Sequence, residues 1–193
     1  MILQPERSLL ILSNIQDDLV PILHEGERVV SYCAWLAGVA REFDVPILLM
    51  EHKRLGATMP EIKRLTEGAP STEIVSFSYL TDPKTRSSIL DSGRDQIVLA
   101  GTETHISILQ SAADAIDAGL RAYVVGEACS TRDVVDHAAA LKRLPQLGAQ
   151  VVTREMVFFE WLPSSEHPRY RDMSLRFVKH PTPPDAAAIA AAS

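Results

Sequence analysis

The sequence predicts a three-layer α/β fold, a mostly parallel sheet of about six strands with helices on both faces. Three observations predict it. Short apolar runs alternate with longer amphipathic stretches from Leu9 to Val152. Those runs are nearly continuous in Val, Ile and Leu, as strands covered on both faces require. Polar and glycine-containing segments follow them, and in parallel sheets the segments beyond the strands' carboxyl ends bind ligands.

Each element has its own signal. Leu9-Leu10-Ile11-Leu12 reads as the first strand, followed by polar Ser13, Asn14, Gln16, Asp17 and Asp18. From Glu25 to Phe43, the residues Val29, Val30, Cys33, Leu36, Ala37 and Ala40 recur at helical spacing. Val45 to Met50 is the second strand, with Pro46 tolerated at its start. A charged, Gly-containing loop from Glu51 to Met59 leads to a short helix opening at Pro60. Ile74-Val75-Ser76-Phe77 reads as the third strand, and Lys84 to Leu90 as a short helix ending near Gly93. Gln96 to Gly101 is the clearest strand, followed by a helix from Thr102 to Leu120 that stops at Gly119. Ala122 to Val125 is a further strand, and Arg132 to Leu147 a helix closed by Gly148. Val151-Val152 starts a last strand before the apolar run Phe158, Phe159, Trp161 and Leu162, read as core before interface.

Length and composition bound the rest. The 193 residues fit one domain, expected over residues 1–180, with Pro-rich and Ala-rich residues 181–193 as a flexible tail. The 19 Lys and Arg against 25 Asp and Glu give a net charge of −6, which offers nucleic acid no electrostatic funnel. No apolar run approaches the roughly 18–20 residues needed to span a bilayer. Pro5, Glu6 and Arg7 stand where a signal peptide needs its apolar stretch. Cys33 and Cys129 cannot build a disulfide framework. The expectation is a cytoplasmic protein that binds neither membrane nor nucleic acid.

The segment Gly101-Thr102-Glu103-Thr104-His105-Ile106-Ser107 joins the clearest strand to a helix. Such a turn aims free backbone N–H groups and the positive end of the helix dipole at one point, which suits a carboxylate, a phosphate or an oxyanion. The commonplace alternative is a Gly turn followed by a Thr cap. Ser107 acts as a nucleophile only with a base in hydrogen-bond reach, and is otherwise a small helical residue. His24, His52, His105, His137, His167 and His180 show no paired metal-ligand spacing, so no metal and no cofactor are expected. Adjacent Asp17 and Asp18 do not face each other and read as a solvated turn.

Three segments taken together resemble the isochorismatase-like hydrolase superfamily, which includes nicotinamidases, N-carbamoylsarcosine amidases and isochorismatases. They are Leu9 to Gln16, Gly101 to His105, and Gly126-Glu127-Ala128-Cys129-Ser130. Glu51 to Glu61, Ser76-Phe77-Ser78 and Glu166-His167-Pro168 resemble its isochorismatase-domain-containing branch. The resemblance runs from about Arg7 to Pro181 and implies a Rossmann-like three-layer fold, a small-molecule ligand and a homo-oligomer.

It also implies an Asp-Lys-Cys triad, and there this chain departs. Asn14 matches the Asp position, Ile74 the Lys position and Ser107 the Cys position. A neutral amide is a very poor base, Ile74 removes the cation that holds acid and thiolate charged, and a hydroxyl is far less acidic than a thiol. Isochorismatases proper work without the cysteine but keep the Asp, which is also lost here. Loss of standard cysteine-hydrolase activity with a surviving pocket is the expectation, with Thr102, Glu103 and Ser107 as its oxyanion or binding residues. The alternative is an active hydrolase of a small amide, ester or vinyl ether with a rearranged site around Ser107. In that case Asp17 or Glu103 serves as base and Lys84 as cation. The resemblance further implies a non-proline cis peptide at Thr102-Glu103.

Overall fold

The computed structural model describes residues 2–179. Its six strands are β1 (Ser8–Ser13), β2 (Ile47–His52), β3 (Ser71–Ile74), β4 (Gln96–Thr102), β5 (Arg121–Ser130) and β6 (Gln150–Val152). They form one sheet in the order β3-β2-β1-β4-β5-β6, and every neighbouring pair is parallel. The helices are α1 (Gly26–Glu42), α2 (Pro60–Leu65), α3 (Pro83–Asp91), α4 (Leu109–Asp117), α5 (Val134–Arg143), α6 (Arg154–Trp161) and α7 (Tyr170–Phe177).

The apolar runs conceal a period of two, because successive strand residues feed opposite cores. Leu10 and Leu12 of β1, Ile47 and Leu49 of β2, and Val98 and Ala100 of β4 pack with α1, α6 and α7 around Trp35, Phe158 and Phe177. Leu9 and Ile11, Leu48 and Met50, and Ile97 and Leu99 pack on the other face with Ile89 of α3 and Leu109 and Ala112 of α4. All six residues of β1 and all seven of β4 are buried, so the sheet centre has no solvated side. Phe158, Trp161 and Leu162 belong to the core, whereas Phe159 stays 40% exposed.

Several boundaries differ from the sequence expectation, each for a local reason. The third strand is Ser71–Ile74, not Ile74 to Phe77, because β3 pairs with β2 from Leu49↔Ser71 to His52↔Ile74. Backbone pairing at a sheet edge is indifferent to side-chain polarity, and apolar Val75 and Phe77 lie beyond the strand, exposed. No helix begins at Thr102. β4 runs through that residue, Glu103 adopts a left-handed φ of 55°, and one π turn (Thr104–Ile108) precedes α4. The expected cis peptide is likewise corrected: among the described residues every peptide bond is trans, and Glu103's positive φ reverses the chain instead. α5 starts at Val134, where Asp133 accepts from Val135 N at 2.8 Å, and ends at Arg143. Pro145 has no N–H for a further α-helical bond, so a 3-10 turn (Leu144–Leu147) follows and Gly148 closes it at φ 96°. Residues 181–193, expected as a tail, lie outside the described residues. Among the described residues no helix is long and apolar enough to cross a membrane.

Candidate functional site

Two chain reversals at the carboxyl ends of the central strands build the site. β1 and β4 lie side by side, with Ser13 opposite Gly101. Gly101 has φ 130°, and a Cβ there would lie 2.2 Å from Ser13 O, so only glycine lets the two strand ends meet so closely. Thr102 Oγ1 donates to Asn14 O at 2.9 Å and fastens the first reversal to the second. Asn14 itself is left-handed at φ 50°, a conformation that Asn tolerates better than most residues.

These reversals bring Asn14 and Ser107 together across 93 positions of sequence. Asn14 Nδ2 donates to Ser107 Oγ at 3.1 Å, and both residues are buried. Asn14 Oδ1 is buried without a hydrogen-bond partner among the described residues. The pair forms part of the wall of a cavity of about 260 Å³, together with Glu103 and Arg132. Leu19, Leu55, Ile106 and Phe77 supply apolar wall, and the His52 ring stacks on Phe77 with centroids 6.3 Å apart. Glu103 is 6% exposed and is held by Arg132 in a two-pronged pair, Nε to Oε1 at 3.2 Å and Nη2 to Oε2 at 3.1 Å. The N–H groups of Ile106 and Ser107 donate to Glu103 O at 2.9 and 3.0 Å, which uses both donors inside the turn.

Beneath the cavity lies a hydroxyl cluster. The Tyr79 phenol, fully buried, donates to Ser13 Oγ and also interacts with Ser107 and Ser111. Burial pushes its pKa up, so Tyr79 stays protonated and is no base. Gln16, 1% exposed, ties the loop after β1 to the loop after β2. It accepts from His52 N at 2.7 Å and donates to His52 O and Gly56 O at 3.0 and 2.7 Å.

The structure thus brings together Asn14, Glu103 and Ser107 and leaves other candidates apart. Thr102 is fully buried behind the turn and does not line the cavity. Ile74 is 4% exposed and packs in the core with Met50 and Tyr79, also off the cavity wall. Asp17 accepts from Ala57 N at 2.9 Å, and Lys84 sits in the first turn of α3; neither is hydrogen-bonded to Ser107. Cys33 and Cys129 are buried free thiols, with Cys129 pushed up to about 12 by burial. Among the described residues no group of three or more His, Cys, Asp or Glu is placed to hold a metal ion. Sequence reasoning missed Tyr79, Gln16 and Arg132. A buried aromatic beside a loop carries no local mark, Gln16 reads as one of several polar residues after the first strand, and Arg132 as the first residue of a helix.

Residues 8–156 match the Isochorismatase domain. The chain belongs to the isochorismatase family. It is 35% identical over 184 residues to isochorismatase domain-containing protein 2A of Mus musculus, covering 93% of this chain and 86% of that protein. Against isochorismatase domain-containing protein 2 of Bos taurus the identity is 34%, with the same coverage. Among solved structures, MAR1 ribonuclease from Caenorhabditis elegans superposes with a TM-score of 0.87 at 25% identity, covering 96% of each chain. The YcaC product of Escherichia coli, described as an octameric hydrolase of unknown specificity, gives 0.81 at 21% identity, covering 91% of this chain and 95% of that one. The fold is therefore that of isochorismatase-family hydrolases.

Proposed function

We propose that this chain keeps the small-molecule pocket of its family without cysteine-type hydrolysis, the triad positions being held by Asn14, Ile74 and Ser107. One observation carries the reading: the partner of Ser107 Oγ is the Asn14 amide at 3.1 Å. General-base activation needs a group there that takes the hydroxyl proton, and a neutral amide does not take it whichever way it is turned. The neighbouring phenol is held protonated, and the one carboxylate on the cavity wall is bound to Arg132.

The same pair defines what the pocket recognises. With Nδ2 donating to Oγ, Asn14 Oδ1 has no partner among the described residues and is free as an acceptor, while the Ser107 hydroxyl is shared with the Tyr79 phenol. A small, uncharged, largely apolar ligand with a hydrogen-bond donor satisfies Oδ1. Homo-oligomeric assembly belongs to this reading. The ribonuclease activity named for the worm protein gains no support here, because the net charge is −6 and Arg132 is occupied by Glu103.

The test is turnover by the pure protein of nicotinamide, N-carbamoyl compounds and isochorismate, compared with Ser107→Ala. The expected result is no turnover attributable to Ser107. Hydrolysis that disappears in Ser107→Ala overturns the reading and establishes the rearranged hydrolase in its place.

A further inference from the structure

The apolar wall of the cavity does not stop at its mouth. Leu19 is buried and Leu55 and Ile106 are half-buried, while Ile22 and Phe77 line the same cavity at 59% and 53% exposure. Scattered exposed apolar residues are ordinary, but these two border one opening. Both are also fixed in place. Ser76 Oγ donates to Ser78 O at 3.0 Å and Ser78 Oγ donates to Asp114 at 2.6 Å, so hydrogen bonds hold the chain on either side of Phe77. Ile22 closes a 3-10 turn (Val20–Ile22) whose exit is fastened by His24 N donating to Thr131 O at 2.8 Å. Apolar surface that is already ordered costs a ligand little to use.

We infer that the pocket takes a linear, uncharged aliphatic molecule with a neutral hydrogen-bond donor, such as a hydroxyl, at one end. The head donates to Asn14 Oδ1, the buried acceptor without a partner among the described residues, and the chain runs out past Leu55 and Ile106 to Ile22 and Phe77. This rests on the reading of the site as a neutral binding pocket. Two features select the chemistry. The carboxylate of Glu103 and the guanidinium of Arg132 are paired with each other, so a charged head at Asn14 would be desolvated without a counter-charge. The wall grades from a buried polar end to an exposed apolar end, so a compact molecule satisfies one end and leaves the other bare, whereas a chain covers both. At about 30 Å³ for a group the size of a water, a cavity of about 260 Å³ covers roughly eight or nine non-hydrogen atoms.

Titration calorimetry of the intact chain with 1-butanol, 1-hexanol, 1-octanol and 1-decanol tests this. An alcohol has no bond for a hydrolase to cleave, so Ser107-dependent turnover of an amide or ester would overturn the earlier reading and leave this series unaffected. Affinity should rise about three- to fourfold per methylene up to 1-octanol and level off by 1-decanol. The heat-capacity change of binding should grow more negative over the same range. 1-Methoxyheptane, equal in size to 1-octanol but without a donor, should bind about 10-fold more weakly, and octanoate at least as weakly. Ile22→Ser and Phe77→Ser should each cut the gain from 1-butanol to 1-octanol by about 10-fold and leave 1-butanol unchanged. An equal affinity from 1-butanol to 1-octanol overturns the inference, as does an ether or a carboxylate bound as tightly as the alcohol. A chain-length gain that neither rim variant reduces also overturns it, because the chain then lies elsewhere. If the rim variants change the sedimentation coefficient and the series shows no gain, a second copy covers the rim and the inference falls.

Discussion

Asn14 holds a left-handed backbone, a buried side chain and a direct hydrogen bond from the first strand end to Ser107 Oγ. Its neutrality is what the surroundings permit. Ile74 and Tyr79 lie in the adjoining core and supply no cation. Asn14→Asp therefore places a carboxyl where its charged form is penalised by burial, and its folded pKa rises above the unfolded value. The folded state then binds more protons than the unfolded state between those two values, so the variant loses stability as pH climbs through that window. Chemical denaturation should show a cost on the order of 2–4 kcal/mol at about pH 8 that shrinks by about pH 4. A cost equal at both pH values would mean that the carboxyl has found a cation. The position of Asn14 was legible because it follows a strong apolar run, and Ser107 because it follows a Gly turn. Tyr79 was not: its partner Ser13 lies 66 residues away, and only the tertiary fold makes them neighbours.

At the scale of elements, legibility followed burial. β1 and β4, buried throughout, were readable from their Val, Ile and Leu content, and α1 from its spacing over 17 residues. β3 was misplaced because an edge strand is held by backbone pairing alone, and its Ser71-Thr72-Glu73 carries no apolar signal. α4 was placed too early because the turn ahead of it is helical in composition but takes one π turn first. α5 shows how elements couple at the site. His137 faces Thr104 on the π turn, and Arg28 and His24 from α1 and the segment before it. Burial first, then those two neighbours, lower its pKa below the usual 6.5. The unfolded chain accordingly binds the proton more readily, and stability falls as pH drops from about 6.5 toward the folded value. His137→Gln removes that contribution, so denaturant midpoints measured from pH 7.5 to 5.5 should decline less in the variant than in the wild type. Parallel declines would place the acid sensitivity on other groups.

At the scale of the whole molecule, the described residues form one sheet with a core on each face, and their cohesion rests on strands shared by both. Leu10 and Leu12 of β1 point into the core with Trp35, while Leu9 and Ile11 point into the core with Leu109. A strand cannot leave one core and remain in the other, so the two should unfold together in one cooperative transition. The tryptophans make this testable. Trp35 and Trp161 are both in the core with α1 and α6, so fluorescence reports that face alone, whereas far-UV dichroism reports the helices of both. Ile97→Ala opens a cavity on the face without tryptophan, at a residue 1% exposed, and should cost about 2–5 kcal/mol. The informative quantity is which probe registers that cost. If the sheet couples the cores, fluorescence and dichroism midpoints fall by the same amount, although the cavity lies across the sheet from either indole. A dichroism transition that moves ahead while fluorescence stays put would show the α3–α5 layer unfolding by itself. The turn bearing Ser107, which leads directly into α4, would then unfold with that layer.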